Sequence, residues 1–225
     1  MLACPKCGIP CDTLGDHLVS CPRNDLRRRH ETIQGALFEL AQLAGVQAAL
    51  QVALPDGLEV PGDLCFRQWD ADGPAMIDVT CRCPVRLGAA PPPPDGIAAW
   101  FRAQEDDKDA SYLMKCRARG CSFIPFVLTP WGGMGPEAKR LAFRLLKLAL
   151  GHKQGWARTK TAERFWQKLS LAVVRPVGRQ LAAAQQAQEH AWAPGGAYTH
   201  NPYRQDGHPP NPQPGEAKSH TPHPP

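Results

Sequence analysis

Four residues near the start of the chain have the types and the spacing of zinc ligands. They are Cys4, Cys7, His17 and Cys21. Thiolate sulfur and imidazole nitrogen are the ligands of tetrahedral structural Zn²⁺, and such an ion can hold together a segment that is too short and too polar to fold alone. We therefore predict a zinc knuckle, with Cys11 as a possible substitute for Cys7 or His17. The alternative is a cluster of unliganded thiols.

Two aspartates on predicted strands form a second candidate site. Asp63 begins the strand-like segment 63–69, and Asp78 lies inside the segment 75–81. A carboxylate within an apolar strand is costly unless a cation compensates it, and paired carboxylates suit a hard divalent cation such as Mg²⁺. The alternative is that Asp63 is a turn residue after Gly62 and that Asp78 is a chance acid.

Helices and strands must bring these residues together, and apolar periodicity and turn residues predict where they lie. Spacings of three and four residues predict helices over 26–44, 97–119, 137–150 and 161–190. Apolar segments bounded by Pro and Gly predict strands over 47–54, 63–69, 75–81 and 122–128. The first three strands should form a meander. The fold class is therefore predicted to be mixed α/β (α+β).

Prolines refine this outline at three places. The run 91–94 cannot be helix or central strand and predicts a surface loop. Pro125 interrupts the last predicted strand and favours a position at the sheet edge. Pro176, with Gly178, predicts a bend in the last helix.

Composition and charge divide the chain into four predicted regions. They are a knuckle over 1–24, a core over 25–135, basic helices packed on the core over 136–190, and a disordered proline-rich tail over 191–225. From Lys139 to Arg179 there are eleven lysines and arginines against one acid, Glu163. Such a surface suits a polyanion, although a pair of solvated helix faces has the same composition.

Cysteine usage and hydropathy predict the compartment. The count of nine cysteines is odd, and the first residues lack the pattern of a secretory signal. No apolar run reaches the roughly 18 residues of a membrane span. We expect a soluble, intracellular protein. The remaining cysteines could be buried hydrophobic residues or a second metal or redox site: Cys65, Cys81, Cys83, Cys116 and Cys121.

Taken in order, the motifs resemble the carboxy-terminal region of site-specific non-long-terminal-repeat retrotransposon proteins. In that family a CCHC knuckle precedes a restriction-like endonuclease with a PD-(D/E)XK core of helix, three strands, helix and strand. The matching pieces cover most of residues 4–180. They are CPKC with DHLVSC, RRRHETI, PGDL, IDVT, a Lys/Tyr motif on the next helix, WGGMGPEA and RFWQKLS.

The resemblance implies a Mg²⁺ site and a catalytic lysine. Asp63 and Asp78 would hold the ion, with the Val79 carbonyl as a third ligand. Thr80 stands where this fold usually has its lysine, so the cation must come from the following helix, where Lys108 and Lys115 are available.

Other residues match the family's motifs with departures. Tyr112 matches the helix motif together with Lys108, but Ser111 stands where the family has a second lysine. His30 and Glu31 match the start of the basic helix and are further catalytic candidates. Gly62 replaces the family's proline before the first acid, which we expect to be a mild change because either residue can shape a turn.

The implied partner is DNA, with element RNA as a second candidate. Basic residues on the first long helix and in the carboxy-terminal helices are the predicted nucleic-acid contacts: Arg27, Arg28, Arg29, Arg140, Arg144 and Lys168. The expected function is a Mg²⁺-dependent DNA endonuclease domain derived from a retrotransposon, and the expected location is the nucleus. The alternative is a catalytically decayed, zinc-containing module that binds nucleic acid.

Overall fold

The structure is a computed structural model that describes residues 4–11, 15–50, 62–70, 73–85, 94–151 and 153–192. The helices are α1 (Asp16–Ser20), α2 (Leu26–Leu43), α3 (Pro94–Arg117), α4 (Pro136–Leu150) and α5 (Gly155–Trp192). The strands are β1 (Ala48–Leu50), β2 (Leu64–Asp70), β3 (Gly73–Cys81) and β4 (Ser122–Leu128). This order confirms the predicted mixed α/β class.

The four strands form one mixed sheet in the order β1-β2-β3-β4. Strands β1, β2 and β3 are an antiparallel meander, as predicted, and β4 lies parallel to β3 after the α3 crossover. Strand β4 is the last of the described strands in the sheet, so among them Pro125 lies in an edge strand, where its missing N–H removes no ladder bond on the open side. In register, Pro125 lies opposite Asp78 of β3.

Helix α2 covers one face of the sheet because its apolar residues form a stripe. Ile33, Leu37 and Leu40 are fully buried. Asp25 begins the helix by accepting a hydrogen bond from the Arg28 N–H at 3.0 Å, which is an N-cap. Because this stripe faces the sheet, one side of α2 lies beside the start of β2.

The main core joins α2, the sheet, α4 and α5. Apolar side chains from all of these elements belong to one buried cluster, which includes Leu37, Leu64, Phe66, Ile77, Phe126, Leu145, Phe165 and Leu169. Helices α4 and α5 thus complete the core that holds the sheet in place.

Several element boundaries differ from those predicted. Helix α3 begins at Pro94, so the predicted loop over 91–94 is wrong at that residue; a first-turn proline lacks only an N–H that would be unpaired anyway. Helix α5 is assigned as one helix from Gly155 to Trp192, with Pro176 inside it. Residues 51–54, 91–93 and the predicted tail beyond 192 lie outside the described residues.

None of the helices in the described part of the chain combines the length and the hydrophobicity that a bilayer crossing requires.

Candidate functional site

The predicted zinc ligands converge on one point, and we refer to Cys4, Cys7, His17 and Cys21 as the zinc-ligand set. Their ligand atoms all lie within 4.8 Å of one another. The Cys4 and Cys21 sulfurs are 3.8 Å apart, and Cys7 Sγ is 3.1 Å from His17 Nε2. A tetrahedral ion with Zn–S bonds of about 2.3 Å separates two sulfurs by about 3.8 Å. The set is therefore compatible with a structural zinc.

Cys11 is the spare thiol. It is buried beside Cys4 and Cys21, but the compact group of ligand atoms contains Cys7 and His17 instead. The Cys11 sulfur approaches the Ile9 carbonyl oxygen at 3.9 Å. The geometry thus favours the ligand pattern with Cys7 and His17.

Burial and hydrogen bonding act on the thiols of the zinc-ligand set. Burial raises the pKa of Cys21 to about 11, and the neighbouring Cys7 and Cys4 sulfurs add to the rise. Burial also pushes the pKa of Cys4 upward, but the N–H groups of Lys6 and Cys7 outweigh it and the net shift is downward. Zinc binding must therefore release a proton from Cys21.

Arg29 connects the knuckle to the sheet instead of facing a ligand. Its side chain is only 2% exposed. Nη1 donates to the Val19 carbonyl oxygen at 2.8 Å, and Nη2 donates to the Cys81 carbonyl oxygen at 3.3 Å. The prediction that Arg29 contacts nucleic acid is wrong, because a buried guanidinium bonded to two carbonyls cannot reach a phosphate.

The two predicted metal carboxylates lie at neighbouring positions of the antiparallel β2–β3 pair. Leu64 pairs with Ile77, so extending this register by one residue places Asp63 opposite Asp78 on the same face of the sheet. The Asp63 N–H donates to the Ile77 carbonyl oxygen at 2.7 Å, which fixes the start of β2 against β3. The register therefore places the two aspartates side by side, as a two-carboxylate site requires.

Each carboxylate already has partners. Asp63 Oδ1 is 3.0 Å from His30 Nε2, and Asp63 Oδ2 accepts a hydrogen bond from the Val79 N–H at 2.7 Å. Asp78 Oδ2 is 2.9 Å from Lys108 Nζ and also accepts from the Thr80 hydroxyl at 3.1 Å.

We call His30, Asp63, Asp78 and Lys108 the carboxylate cluster. Its side chains are 34%, 22%, 13% and 18% exposed in that order, so the cluster is open to solvent but not fully hydrated. The hydrogen bond that His30 donates to Asp63 raises the pKa of His30 against the opposing effect of burial, and the charge of Asp78 adds to the rise while Lys108 reduces it. The field of both aspartates thus reaches the imidazole.

Helix α3 presents Lys108 to Asp78 and supports it with Tyr112. The Lys108 and Lys115 ammonium groups each lie 5.7 Å from the centre of the Tyr112 ring. Tyr112 packs on Phe123 of β4 with ring centres 5.6 Å apart. Ser111 is exposed, and its hydroxyl donates to a backbone carbonyl of its own helix at 2.9 Å. Lys115, one helical turn after Ser111, therefore places a second ammonium group near Tyr112, whereas Ser111 supplies no positive charge.

Gly62, just before β2, lies very close to the backbone of β3. A Cβ at this position would lie 2.8 Å from the Ile77 carbonyl oxygen, which is a backbone atom that cannot move aside cheaply. A proline would bring a Cβ into this contact, so in this chain the exchange of proline for glycine involves more than turn formation.

The remaining predicted residues on α2 lie on its exposed surface. Glu31 forms an ion pair with Arg27 at 2.7 Å, so its carboxylate is engaged away from Asp63 and Asp78. Arg28 is exposed and lines a pocket with Arg179 of α5.

The predicted contacts on α4 and α5 each have a protein partner. Arg140 pairs with Glu137, and Lys168 pairs with Glu39 of α2. Arg144 stacks on the Trp69 ring with its guanidinium carbon 3.9 Å from the ring centre. These groups remain at the surface, but a phosphate would have to compete for them.

Sequence reasoning missed Glu105, a buried carboxylate on α3. Its Oε1 accepts a hydrogen bond from the Glu137 N–H at 3.0 Å at the start of α4. Burial raises its pKa to about 7; Arg140 opposes the shift, while Asp109 and Asp106 add to it. The sequence signal that could have located Glu105 is its spacing of four residues from Phe101, which places both residues on the buried face of α3.

The other cysteines do not form a second ligand group in the described part of the chain. Cys65, Cys116 and Cys121 pack with Met76 and Phe123 as a small apolar cluster. Burial raises the pKa of Cys65 and raises that of Cys116 to about 12. The Cys65 and Cys116 thiols therefore stay protonated, and the cluster packs as hydrophobic side chains.

No protein-family model matches the chain, and no curated protein is similar enough to it to count as a relative.

Proposed function

We propose that the chain is a Mg²⁺-dependent DNA endonuclease domain of the PD-(D/E)XK type, derived from a non-long-terminal-repeat retrotransposon. The observation that carries the proposal is the carboxylate cluster. The sheet register sets Asp63, at the start of β2, opposite Asp78 of β3, and a lysine from the following helix lies 2.9 Å from the second aspartate. The order helix, three strands, helix, strand agrees with that core, and the sequence motifs supply the link to mobile elements.

The donor set fits a hard divalent cation. Asp63 and Asp78 offer carboxylate oxygens, and the Val79 carbonyl is the candidate third ligand. When bound, Mg²⁺ would supply positive charge to neutralise a phosphate oxygen of the DNA. Zn²⁺ at the knuckle would have a structural role only, because all four of its positions are filled by protein ligands.

The protein side chains have distinct roles in this proposal. Lys108, held beside Asp78 and over Tyr112, would orient the attacking water and stabilise negative charge on the phosphate. His30 would fix Asp63 in place through the 3.0 Å contact. The attack breaks the bond between phosphorus and O3′, which leaves a 3′ hydroxyl and a 5′ phosphate.

The second candidate is a nucleic-acid-binding module with a decayed active site. Ser111 favours it, because the hydroxyl is bonded to the helix backbone and replaces the family's second lysine. In this case the knuckle and the basic residues retain binding while hydrolysis is lost.

Nicking of supercoiled plasmid in millimolar Mg²⁺ separates the two candidates. The endonuclease proposal predicts nicking that Asp78→Asn abolishes and that Lys108→Met slows by about 100-fold. Asp106→Asn on the exposed side of α3 is the matched control and should nick like the wild type. Circular dichroism must show that each variant is folded.

Binding without nicking by the wild-type protein would reject the enzyme and support the module. If Ser111→Lys then nicks DNA, the loss of the second lysine is identified as the cause of decay. Nicking that persists in Asp78→Asn would place the activity elsewhere.

A further inference from the structure

A pocket lies away from the carboxylate cluster, between the knuckle, the start of α2 and α5. It has a volume of about 400 Å³, within the range of small-ligand sites and large enough for one nucleotide. Arg23, Arg28, Arg179 and Gln180 line it. We call it the Gln180 pocket.

The pocket and the carboxylate cluster lie on opposite sides of α2. Thr32 lines the pocket, whereas His30 contacts Asp63. At 3.6 residues per turn, side chains two residues apart point about 160° away from each other around the helix axis. A ligand in the pocket therefore does not occupy the carboxylate cluster.

Gln180 is the feature of the pocket that calls for a ligand. It is 9% exposed, and among the described residues neither its amide nitrogen nor its amide oxygen has a hydrogen-bond partner. A buried, unpaired amide is costly, so native proteins normally satisfy it with a protein group, an ordered water or a ligand. Both amide atoms have an accessible area of less than 1 Å² in this structure, so a ligand in the pocket pairs with the amide once the Gln180 side chain turns towards it.

The charge of the pocket indicates what that partner is. Three arginines line it, and the carboxylate of Asp25, the acid among the lining residues, accepts the Arg28 N–H as the cap of α2. Guanidinium groups bind phosphate through paired hydrogen bonds. A neighbouring groove between α2 and α5 shares Thr32 with the pocket, and its lining carries Arg164, Lys168 and Arg175 on α5 but Glu31 and Glu39 on α2, so the positive charge follows α5.

We propose that the Gln180 pocket binds one nucleotide of a single-stranded nucleic acid, with the phosphate on Arg28 and Arg179 and the edge of the unpaired base on the Gln180 amide. An unpaired base exposes both donors and acceptors on its edge, which an amide can match. A duplex would keep its bases stacked outside a pocket of this size. The proposal does not depend on nuclease activity, because the pocket and the carboxylate cluster are separate.

Fluorescence anisotropy with labelled single-stranded DNA and RNA of mixed sequence, without added Mg²⁺, tests this. Gln180→Leu should weaken binding by about 5- to 10-fold, because it removes a paired donor and acceptor. Arg179→Gln should weaken binding by about 3- to 10-fold and reduce the salt dependence by about one phosphate contact. Arg158→Gln, on the same helix about 31 Å away, should change binding by less than about twofold.

Wild-type affinity in Gln180→Leu would overturn the proposal and leave Gln180 as an unsatisfied structural amide. Equal losses in Arg158→Gln and Arg179→Gln, or tighter binding of duplex than of single strands, would also overturn it. If Gln180→Leu does not fold, Gln180→Glu decides: the added negative charge should weaken binding more than Arg179→Gln does. A preference for DNA or for RNA supports the pocket and identifies the strand that it binds.

Discussion

The zinc-ligand set and the carboxylate cluster are assembled over very different distances along the chain. The zinc-ligand set lies within residues 4–21, and two of its members are separated by a single turn of α1. The carboxylate cluster takes one residue each from α2, the start of β2, β3 and α3. A local spacing can therefore identify the first site directly, whereas the second exists only once the sheet has formed.

The two sites also differ in how they are stabilised. The zinc-ligand set belongs to a small buried cluster of cysteines of its own, so we expect the knuckle to depend on a bound metal for its structure. In the carboxylate cluster Asp63 already contacts the His30 imidazole and the Val79 N–H, and Asp78 contacts the Lys108 ammonium group and the Thr80 hydroxyl. We therefore expect metal removal to unfold the knuckle and to leave the carboxylate cluster in place.

The largest expected effect is the loss of zinc in Cys21→Ser. A serine hydroxyl cannot replace a thiolate ligand, so the segment 4–21 should open and become sensitive to protease while the sheet stays folded. Zinc analysis should give one ion per chain for the wild type and none for this variant. Cys11→Ser is the matched control and should keep its zinc; if it loses the metal instead, the ligand assignment is wrong.

Arg29→Gln should have the next largest effect, because it breaks the connection between the knuckle and the sheet. Removing a buried guanidinium leaves the carbonyl oxygens of Val19 and Cys81 without their donors. We expect a loss of about 2 to 4 kcal/mol in the free energy of unfolding, measured by urea denaturation. Arg28→Gln on the exposed surface should change it by less than about 0.5 kcal/mol. Similar values for both variants would contradict the buried role of Arg29.

Gly62→Ala should destabilise the start of β2, where the first aspartate is held. The added Cβ would press on the Ile77 carbonyl oxygen, and relief requires a shift of the backbone beside Asp63. We expect a cost of about 1 to 3 kcal/mol in thermal or urea unfolding. Gly35→Ala in α2 is the control: its Cβ meets no atom within 4 Å, so the variant should be stabilised by about 0.5 to 1 kcal/mol. A neutral Gly62→Ala would show that β2 has room at this point.

The smallest effect should be the pH dependence contributed by His30. Asp63 raises the His30 pKa above its usual 6.5, so the contact stabilises the fold fully below pH 6.5 and loses this contribution as pH rises through the raised pKa. Because the imidazole is about one-third exposed, we expect less than about 1 kcal/mol. The difference in unfolding free energy between the wild type and His30→Gln should shrink with rising pH. A difference that grows with rising pH would contradict the assignment of a positive charge to His30 and a negative charge to Asp63.

The sequence predicted the fold better than it predicted the roles of individual side chains. The apolar spacing in α2 and the turns around β2 and β3 placed Asp63 and Asp78 on neighbouring strands. The same reasoning grouped Arg29 with Arg27 and Arg28, because adjacent basic residues look alike in sequence. Only the packing of α2 shows that Arg29 points inward, since burial depends on which elements surround a helix.

Three features could not be predicted for a similar reason. The need for Gly62 depends on the distance between two backbones, and the cap that Glu105 provides to α4 joins residues 32 positions apart. The unpaired amide of Gln180 depends on the packing of α5 against the knuckle. Each of these features is set by tertiary contacts that no local pattern encodes.

The central claim is that the chain has two metal sites of different chemistry, and anomalous diffraction from a crystal soaked in Mn²⁺ tests it most directly. The account predicts a zinc peak among Cys4, Cys7, His17 and Cys21. It also predicts a manganese peak about 2.2 Å from carboxylate oxygens of both Asp63 and Asp78. A zinc peak with no manganese between the two aspartates, in a protein that also fails to nick DNA, would contradict the claim.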